Sequence, residues 1–301
     1  MPAAPFEPRS VRQPEAPDPL FSILIPSWNN LEYLKLCVQS IRRHSRYPHQ
    51  ILIHVNDGSD GTLDWVRQQP DLAFRHSATN IGICYALNQL RSLVCTEYIV
   101  YFNDDFYVCP DWDAELYRRI AEIGHPHFFL SATLIEPYPT GNTCCLVKDY
   151  GRSLADFREQ ELLREFRDLP WKDWSGATWP PNVVHRDTWD LVGGYSVEFS
   201  PGMYSDPDFS RKLWEAGIRL FLGVSSSRVY HFVSKSTGRV HKNKGSKMFL
   251  LKWGVTAKTF TGYTLRRGQA FHGPLEEPRI PLSERWRNTL KRIWLSASAK
   301  R

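Results

Sequence analysis

Tyr98-Ile99-Val100-Tyr101-Phe102-Asn103-Asp104-Asp105 is the stretch on which the fold turns. Its first five residues are aromatic or β-branched, the composition of a buried strand. Its last two are carboxylates, placed where that strand ends. Burying a carboxylate is costly without a partner, and a divalent cation is one such partner. Hard cations such as Mg2+ and Mn2+ take oxygen ligands and leave positions for water and phosphate. A solvated turn is the competing reading, because Asn and Asp are common turn residues.

Towards the N-terminus, Phe21 to Ile25 reads as a short strand that Pro26 is expected to stop. Leu31, Leu34, Val38 and Ile41 recur at helical spacing, which predicts an amphipathic helix over 31–43. Ile51 to Val55 is a second strand, ending in Asn56-Asp57-Gly58-Ser59-Asp60-Gly61, a loop of turn residues. Residues 62–69 read as helix, 72–75 as extended and 82–93 as helix. This alternation predicts an α/β fold, a Rossmann-like and mostly parallel sheet flanked by helices. Ligands of such sheets bind beyond the carboxyl ends of the strands, so the loops at 56–60 and 103–105 should open onto one crevice.

Past residue 140 or so the pattern loosens. Trp171, Trp174 and Trp179 punctuate a Pro-rich stretch, followed by a helix at 208–216, strands at 219–224 and 228–232, and a helix at 243–257. Residues 1–19 contain Pro2, Pro5, Pro8, Pro14, Pro17 and Pro19 and read as a flexible leader. In the tail, Leu282, Trp286, Leu290, Ile293 and Trp294 share one face of a basic helix. That helix is expected either to meet a membrane surface or to pack on its own domain.

The chain is 42% hydrophobic, enough to bury a core and to exclude a disordered polymer. Its net charge of +6 suits an anionic partner. None of the six cysteines stands in a metal-binding spacing, which predicts reduced thiols in a cytoplasmic protein. No apolar run approaches the ~18–20 residues of a spanning helix, and the N-terminus lacks an apolar signal core. The protein is therefore expected to be soluble or peripheral, the tail being the candidate contact to the inner face of the membrane.

In their order along the chain, these motifs resemble glycosyltransferase family 2, from about Phe21 to about Thr237. Ile25-Pro26-Ser27-Trp28-Asn29 resembles its opening strand and nucleotide-binding loop, and Val55 to Thr62 its second acidic motif. Asn80-Ile81-Gly82 with Ala86 and Asn88 resembles a donor-site segment, and Phe102 to Asp105 the metal-binding region. Gly193-Gly194-Tyr195 with Ser205-Asp206-Pro207-Asp208-Phe209 resembles the region of the catalytic base, and Val229-Tyr230-His231 with Ser234 the late His segment. Ser205 stands where the family usually has an acidic residue.

The resemblance implies a GT-A fold and inverting transfer of a sugar from a nucleotide-diphosphate sugar, UDP- or dTDP-linked, to an acceptor hydroxyl. A surface polysaccharide or lipid-linked glycan is the implied acceptor. Residue by residue, it implies that Pro26 and Asn29 line the nucleotide loop and that Asp57, with Asn56, recognises the base. Asn80 and Gly82 would shape the donor pocket. Asp105 would bind Mn2+ or Mg2+, and Asp104 would contact the ribose or the metal's outer shell. His231 would be a second metal ligand or touch the diphosphate. Asp206 would be the general base, with Asp208 a helix cap or support; capping by Asp206 itself is the competing reading. Trp174 to Trp179 would lie on the acceptor side unless they pack in the core, and Lys235, Arg239, Lys242 and Lys244 would lie over the diphosphate unless they form a solvated basic loop.

The expected organisation is a leader at 1–19, a catalytic domain at 20–240 and a basic helical extension at 241–301. The catalytic domain divides into a donor half at 20–110 and an acceptor half at 111–240. Two other functions share some of these features. A sugar-phosphate nucleotidyltransferase usually carries a Gly-rich basic loop after its first strand, and Pro26-Ser27-Trp28-Asn29-Asn30 is neither. A nucleic-acid-binding protein would suit the basic charge, but no recognition signature is present and the acidic loops would repel phosphate.

Overall fold

The computed structural model describes residues 18–234 and 243–298. The leader therefore lies outside the described residues except for its last two positions, as do Lys235, Arg239, Lys242 and the expected boundary at residue 240.

The strands are β1 (Phe21–Trp28), β2 (His49–Asn56), β3 (Leu72–Ser77), β4 (Tyr98–Tyr101), β5 (Phe106–Val108), β6 (Phe128–Glu136), β7 (Leu146–Val147), β8 (Trp174–Ser175), β9 (Asn182–His185) and β10 (Leu220–His231). The helices are α1 (Leu31–His44), α2 (Thr62–Arg67), α3 (Gly82–Arg91), α4 (Trp112–Ile123), α5 (Glu159–Glu165), α6 (Arg186–Leu191), α7 (Ser205–Glu215), α8 (Gly245–Trp253), α9 (Ala257–Thr259) and α10 (Leu282–Ser298). The sheet runs β3-β2-β1-β4-β9-β6-β10-β5, with β7 paired to β6 and β8 to β10. From β3 to β4 every pairing is parallel, as the βαβ alternation predicts. In the second half β9 lies antiparallel between β4 and β6, while β6 and β10 are parallel to each other. The sheet is thus mixed and flanked by helices.

Alternation within the strands builds two core layers. Phe21, Ile23 and Ile25 of β1 and Val100 of β4 join Leu34, Val38 and Ile41 of α1 and Trp112, Leu116 and Ile120 of α4 on one face. Leu24, Ile99 and Tyr101 face the other way, towards Leu87 and Leu90 of α3, Trp189 of α6 and Phe209 and Leu213 of α7. This is the period-two division of side chains expected of a sheet covered on both sides.

Two strand boundaries differ from the sequence reading. β1 does not stop at Pro26 but continues to Trp28, in register with β2. Leu24 turns its carbonyl to β4, where it accepts from Phe102 N at 2.9 Å. Pro26, two residues on, faces the same side beyond the end of that ladder, so its missing N–H interrupts no pairing. The two short strands expected at 219–224 and 228–232 are one strand, β10, whose register against β6 shifts between Val224 and Arg228. The shift accommodates the turn-prone Ser225-Ser226-Ser227, and Ser227 is anchored by donating to Trp112 O at 2.7 Å.

The chain crosses from β3, on one side of β1, to β4 on the other. Such a reversal leaves a crevice at the carboxyl ends of the two central strands. The opposite edge is fixed by Asp113, fully buried in the first turn of α4. It accepts from Arg46 N at 2.9 Å, Tyr47 N at 2.8 Å and His49 Nε2 at 3.0 Å, tying α4 to the entry of β2. Burial alone would raise the pKa of this carboxyl, but the hydrogen bonds from His49 and the two amides outweigh it and hold it below the ordinary value. Asp113→Ala is expected to cost about 3 kcal/mol in urea unfolding, because several donors lose their acceptor at once. Since folding depresses this pKa, the contribution is present above about pH 4 and fades as pH falls below it. Melts of wild type and variant should therefore converge in acid.

Candidate functional site

The loop after β1 and the loop after β4 meet in the crevice. Asp104 accepts from Ser27 Oγ at 2.7 Å and from Asn30 Nδ2 at 3.0 Å. Ser27 and Asn30 were part of a recognisable motif but had no role assigned from sequence. Their partner lies more than seventy residues away in the chain. Asn29 has a left-handed backbone, and its amide bridges to the neighbouring loop. Its Nδ2 donates to Asp57 Oδ2 at 2.9 Å, and its Oδ1 accepts from Gly58 N at 3.0 Å. Hydrogen bonds from Asn29 and Ser59 hold the Asp57 carboxyl below the usual range. Pro26 stands two residues before this loop, partly exposed.

Asn56 is placed differently from Asp57. Its side chain is buried, with Oδ1 accepting from Ile81 N at 3.0 Å and from Ser77 Oγ at 3.3 Å. These bonds tie the end of β2 to the segment that leads into α3. Asn80 and Gly82 belong to that segment. Asn80 Oδ1 accepts from Gly82 N at 2.9 Å, and Gly82 has φ +80° at the start of α3. A Cβ there would stand 2.4 Å from Ser200 Oγ and 2.6 Å from Pro201 Cα, so glycine lets the loop before α7 approach closely.

Asp105 and His231 face each other. Asp105 Oδ2 lies 3.5 Å from His231 Nε2 and accepts from Ser234 N at 2.7 Å. The far ring nitrogen of His231, Nδ1, is 3.0 Å from Glu136 Oε1, at the end of β6. Burial favours the neutral ring, yet Asp105 and Glu136 together hold the imidazolium and raise its pKa to about 9. Burial likewise opposes ionisation of Asp105, and the His231 charge with the Ser234 amide reverses it. Glu136 was missed from sequence. The available signal is an acid ending a nine-residue strand buried throughout.

The donor set fits a hard divalent cation whose binding would displace the Nε2 proton that pairs His231 with Asp105 in its absence. A carboxylate oxygen and an imidazole nitrogen point at one another across a short gap, and a carboxylate orients the other ring nitrogen, a common arrangement at metal-bound histidines. Among the described residues no group of three or more His, Cys, Asp or Glu has metal-holding geometry. Two protein ligands are enough where water and phosphate oxygens fill the remaining positions, as at many Mg2+ sites.

Asp206 occupies a different environment. α7 begins at Ser205, with Tyr204 at the N-cap position, so Asp206 sits inside the first turn and does not cap the helix. Asp208 does not cap it either. It is fully buried and accepts from Trp253 Nε1 at 2.8 Å, with Lys252 Nζ 2.9 Å away, so it supports the fold by tying α7 to α8. Among the described residues the Asp206 carboxyl has one hydrogen-bond partner, Tyr195, whose hydroxyl donates to Oδ1 at 3.3 Å. Tyr195 is in turn clamped by Asn88, which donates from Nδ2 to Tyr195 O at 2.7 Å and accepts from Tyr195 N at 2.9 Å. The Asn88 and Tyr195 motifs, distant in sequence, therefore form one unit beneath Asp206.

Burial raises the Asp206 pKa to about 7, and the Tyr195 hydrogen bond only partly opposes it. The helix N-terminus favours the anion by ~0.3–1 kcal/mol, too little to offset that desolvation. Tyr101, at the end of β4, connects the two acidic groups. Burial raises its pKa first, then the negative charge of Asp206, with smaller contributions from Asp104 and Asp105. Asp206 and the Asp104–Asp105 pair thus share one electrostatic environment.

Of the expected acceptor-side tryptophans, Trp174 is core. It is buried, donates to Thr133 Oγ1 at 2.9 Å and packs where a Cβ at Gly223 would overlap its ring. Trp179 is only partly buried, and the Arg267 guanidinium lies 4.8 Å from its ring centroid. All six cysteines are free thiols.

The model of glycosyl transferase family 2 matches residues 22–138. The S. aureus TarS 1–349 structure superposes with TM-score 0.54 at 13% identity, covering 93% of this chain and 72% of that one. The mannosyltransferase PcManGT from Pyrobaculum calidifontis, in complex with GDP-Man and Mn2+, gives TM-score 0.52 at 16% identity over 98% of this chain and 79% of the other. GalNAc-T7 with UDP, GalNAc and Mn2+ gives 0.56 at 14% identity over 92% and 54%. No curated protein matches the sequence.

In carbon-13 NMR of labelled aspartate, one carboxyl is expected to titrate near pH 7 and to vanish in Asp206→Asn. Tyr195→Phe should move that titration upward by removing a donor to the charged form. Because folding raises this pKa, the carboxyl's contribution to stability is full below about pH 4 and is lost as pH rises through about 7.

Proposed function

We propose that this glycosyltransferase, which carries the family 2 match and the GT-A fold, transfers a sugar from a nucleoside diphosphate sugar to an acceptor hydroxyl with inversion at the anomeric carbon. The observation that carries the reading is the coexistence, around Tyr101, of a hydrogen-bonded Asp104–Asp105 pair and a carboxyl at Asp206 poised near neutrality.

The donor lies against the loops after β1, β2 and β4. Asp57, held by Asn29, presents its carboxylate to the base, and Asp104, fixed by Ser27 and Asn30, presents its own to the ribose. Asp105 and His231 are the residues that would hold Mn2+ or Mg2+. A cation bound there would neutralise charge gathering on the departing diphosphate.

On the acceptor side, Asp206 takes the proton of the attacking hydroxyl. An alcohol is a weak nucleophile until a positioned base removes that proton in the transition state, and such assistance contributes ~10²–10⁴-fold. A carboxylate with pKa near 7 is a stronger base than an ordinary one and is still about half ionised at neutral pH. The hydroxyl oxygen bonds to the anomeric carbon as the bond to the diphosphate oxygen breaks on the opposite face. Trp179 offers an indole face on which a sugar could pack. Residues 20–110 thus form the donor half and 111–240 the acceptor half, ahead of the helical extension. A UDP- or dTDP-sugar is the preferred donor, and a surface polysaccharide or lipid-linked glycan the preferred acceptor.

Asp206→Asn is expected to lower transfer by ~10²–10⁴-fold while donor affinity is retained. Wild-type transfer should rise with pH through about 7, the proton-bound form being inactive. An equal loss of donor affinity in the variant would remove Asp206 from the role of base. Asp105→Ala should abolish the dependence of donor binding on Mn2+ in calorimetric titration. Proton NMR of the product should show the anomeric configuration opposite to that of the donor. Release of nucleoside diphosphate, and not of pyrophosphate from a triphosphate, separates this chemistry from nucleotidyl transfer.

A further inference from the structure

Helix α10 turns its apolar side outward. Leu282, Trp286, Leu290, Ile293 and Trp294 are 71%, 66%, 62%, 59% and 67% exposed. At 3.6 residues per turn they fall within an arc of roughly 120°. Asn288, on the opposite side, is 2% exposed and fastens the helix to the body. Its Oδ1 accepts from Thr256 N at 3.2 Å, and its Nδ2 donates to Thr259 Oγ1 at 3.2 Å. The helix is therefore docked through a polar contact while its apolar stripe faces away from the protein, the reverse of an ordinary amphipathic helix.

We propose that this stripe seats the protein on an anionic lipid bilayer, with α10 lying flat in the interface. Charge selects the occupant. Arg285 borders one edge of the arc, and Arg287 and Lys291 border the other, all three exposed. Glu284, the single acidic residue of the helix, is turned towards the body and pairs with Arg287. A second copy of α10 would bring these basic borders against their own like, whereas anionic headgroups complement them. The two tryptophans suit the depth where acyl chains meet headgroups. No helix among the described residues is long and apolar enough to cross a membrane, so the contact is one of lying on the bilayer and not of spanning it.

The seat is mechanically connected to the catalytic half. α10 packs on α8, whose Lys252 and Trp253 hold Asp208, two residues from Asp206. Docking would thus orient the acceptor side relative to the lipid surface. The membrane inference itself does not depend on the transferase reading.

The test is co-sedimentation of the full chain with vesicles of phosphatidylcholine alone and of phosphatidylcholine mixed with phosphatidylglycerol, with circular dichroism melts confirming that each variant folds. Wild type should pellet with the mixed vesicles and much less with the neutral ones. Arg285→Gln, Arg287→Gln and Lys291→Gln together should weaken binding about a hundredfold, at roughly a fivefold effect per basic residue. Trp286→Ser with Trp294→Ser should weaken it at least about tenfold. Wild type remaining in the supernatant with both vesicles, or pelleting equally with both, would overturn the proposal. So would a concentration-dependent dimer in analytical ultracentrifugation that the tryptophan substitutions dissociate, because the stripe would then belong to a second copy.

Discussion

Burying negative charge at one end of the sheet is the constraint on which the rest of this structure depends. Asp104, Asp105 and Asp206 have little or only partial access to solvent, and a carboxylate out of water must be compensated or neutralised. Each is handled differently. Neutral donors, Ser27 and Asn30, serve Asp104. A cationic imidazole and a backbone amide serve Asp105. Among the described residues a single long hydrogen bond, from Tyr195, serves Asp206, which therefore keeps its proton to far higher pH than an ordinary aspartate.

These differences assign chemistry more sharply than residue type does. Well-solvated carboxylates do not divide labour between holding a cation and accepting a proton. Here the His231 charge and the Ser234 amide hold Asp105 below the ordinary carboxylate range, which suits a cation, while desolvation poises Asp206 to exchange a proton near neutrality. Both lie close to the end of β4, so one short strand sets the spacing of the crevice. Behind it, Asn88 and Glu136 fix Tyr195 and His231 without themselves providing the proposed chemistry.

Much of the first half was legible in sequence, because its structure follows from local periodicity. The alternation between Phe21 and Phe102 places β1 to β4 and α1 to α3 within a few residues of their observed limits. Turn chemistry marks the acidic loops equally well. Legibility falls where local signals conflict with tertiary context. Pro26 reads as a strand end, yet β1 passes through it because its missing N–H lies beyond the β4 ladder. Ser225 to Ser227 read as a break, yet packing on α4 carries β10 across them. Asp206 reads as a helix cap or a base, and only the start of α7 at Ser205 removes the first alternative.

The sequence by itself determined the strand–helix order from β1 to β4, the acidic ends of β2 and β4, and the stripe of α10, since each depends on residues a few positions apart. Tertiary structure alone decided that Asn56 turns inward, that Glu136 meets His231 across 95 residues, and that burial desolvates Asp206. It also decided that α10 docks through Asn288 and leaves its apolar face uncovered. Periodicity specifies which side chains share a face. What that face meets, and how much water remains around a charge, depends on elements brought together from distant parts of the chain.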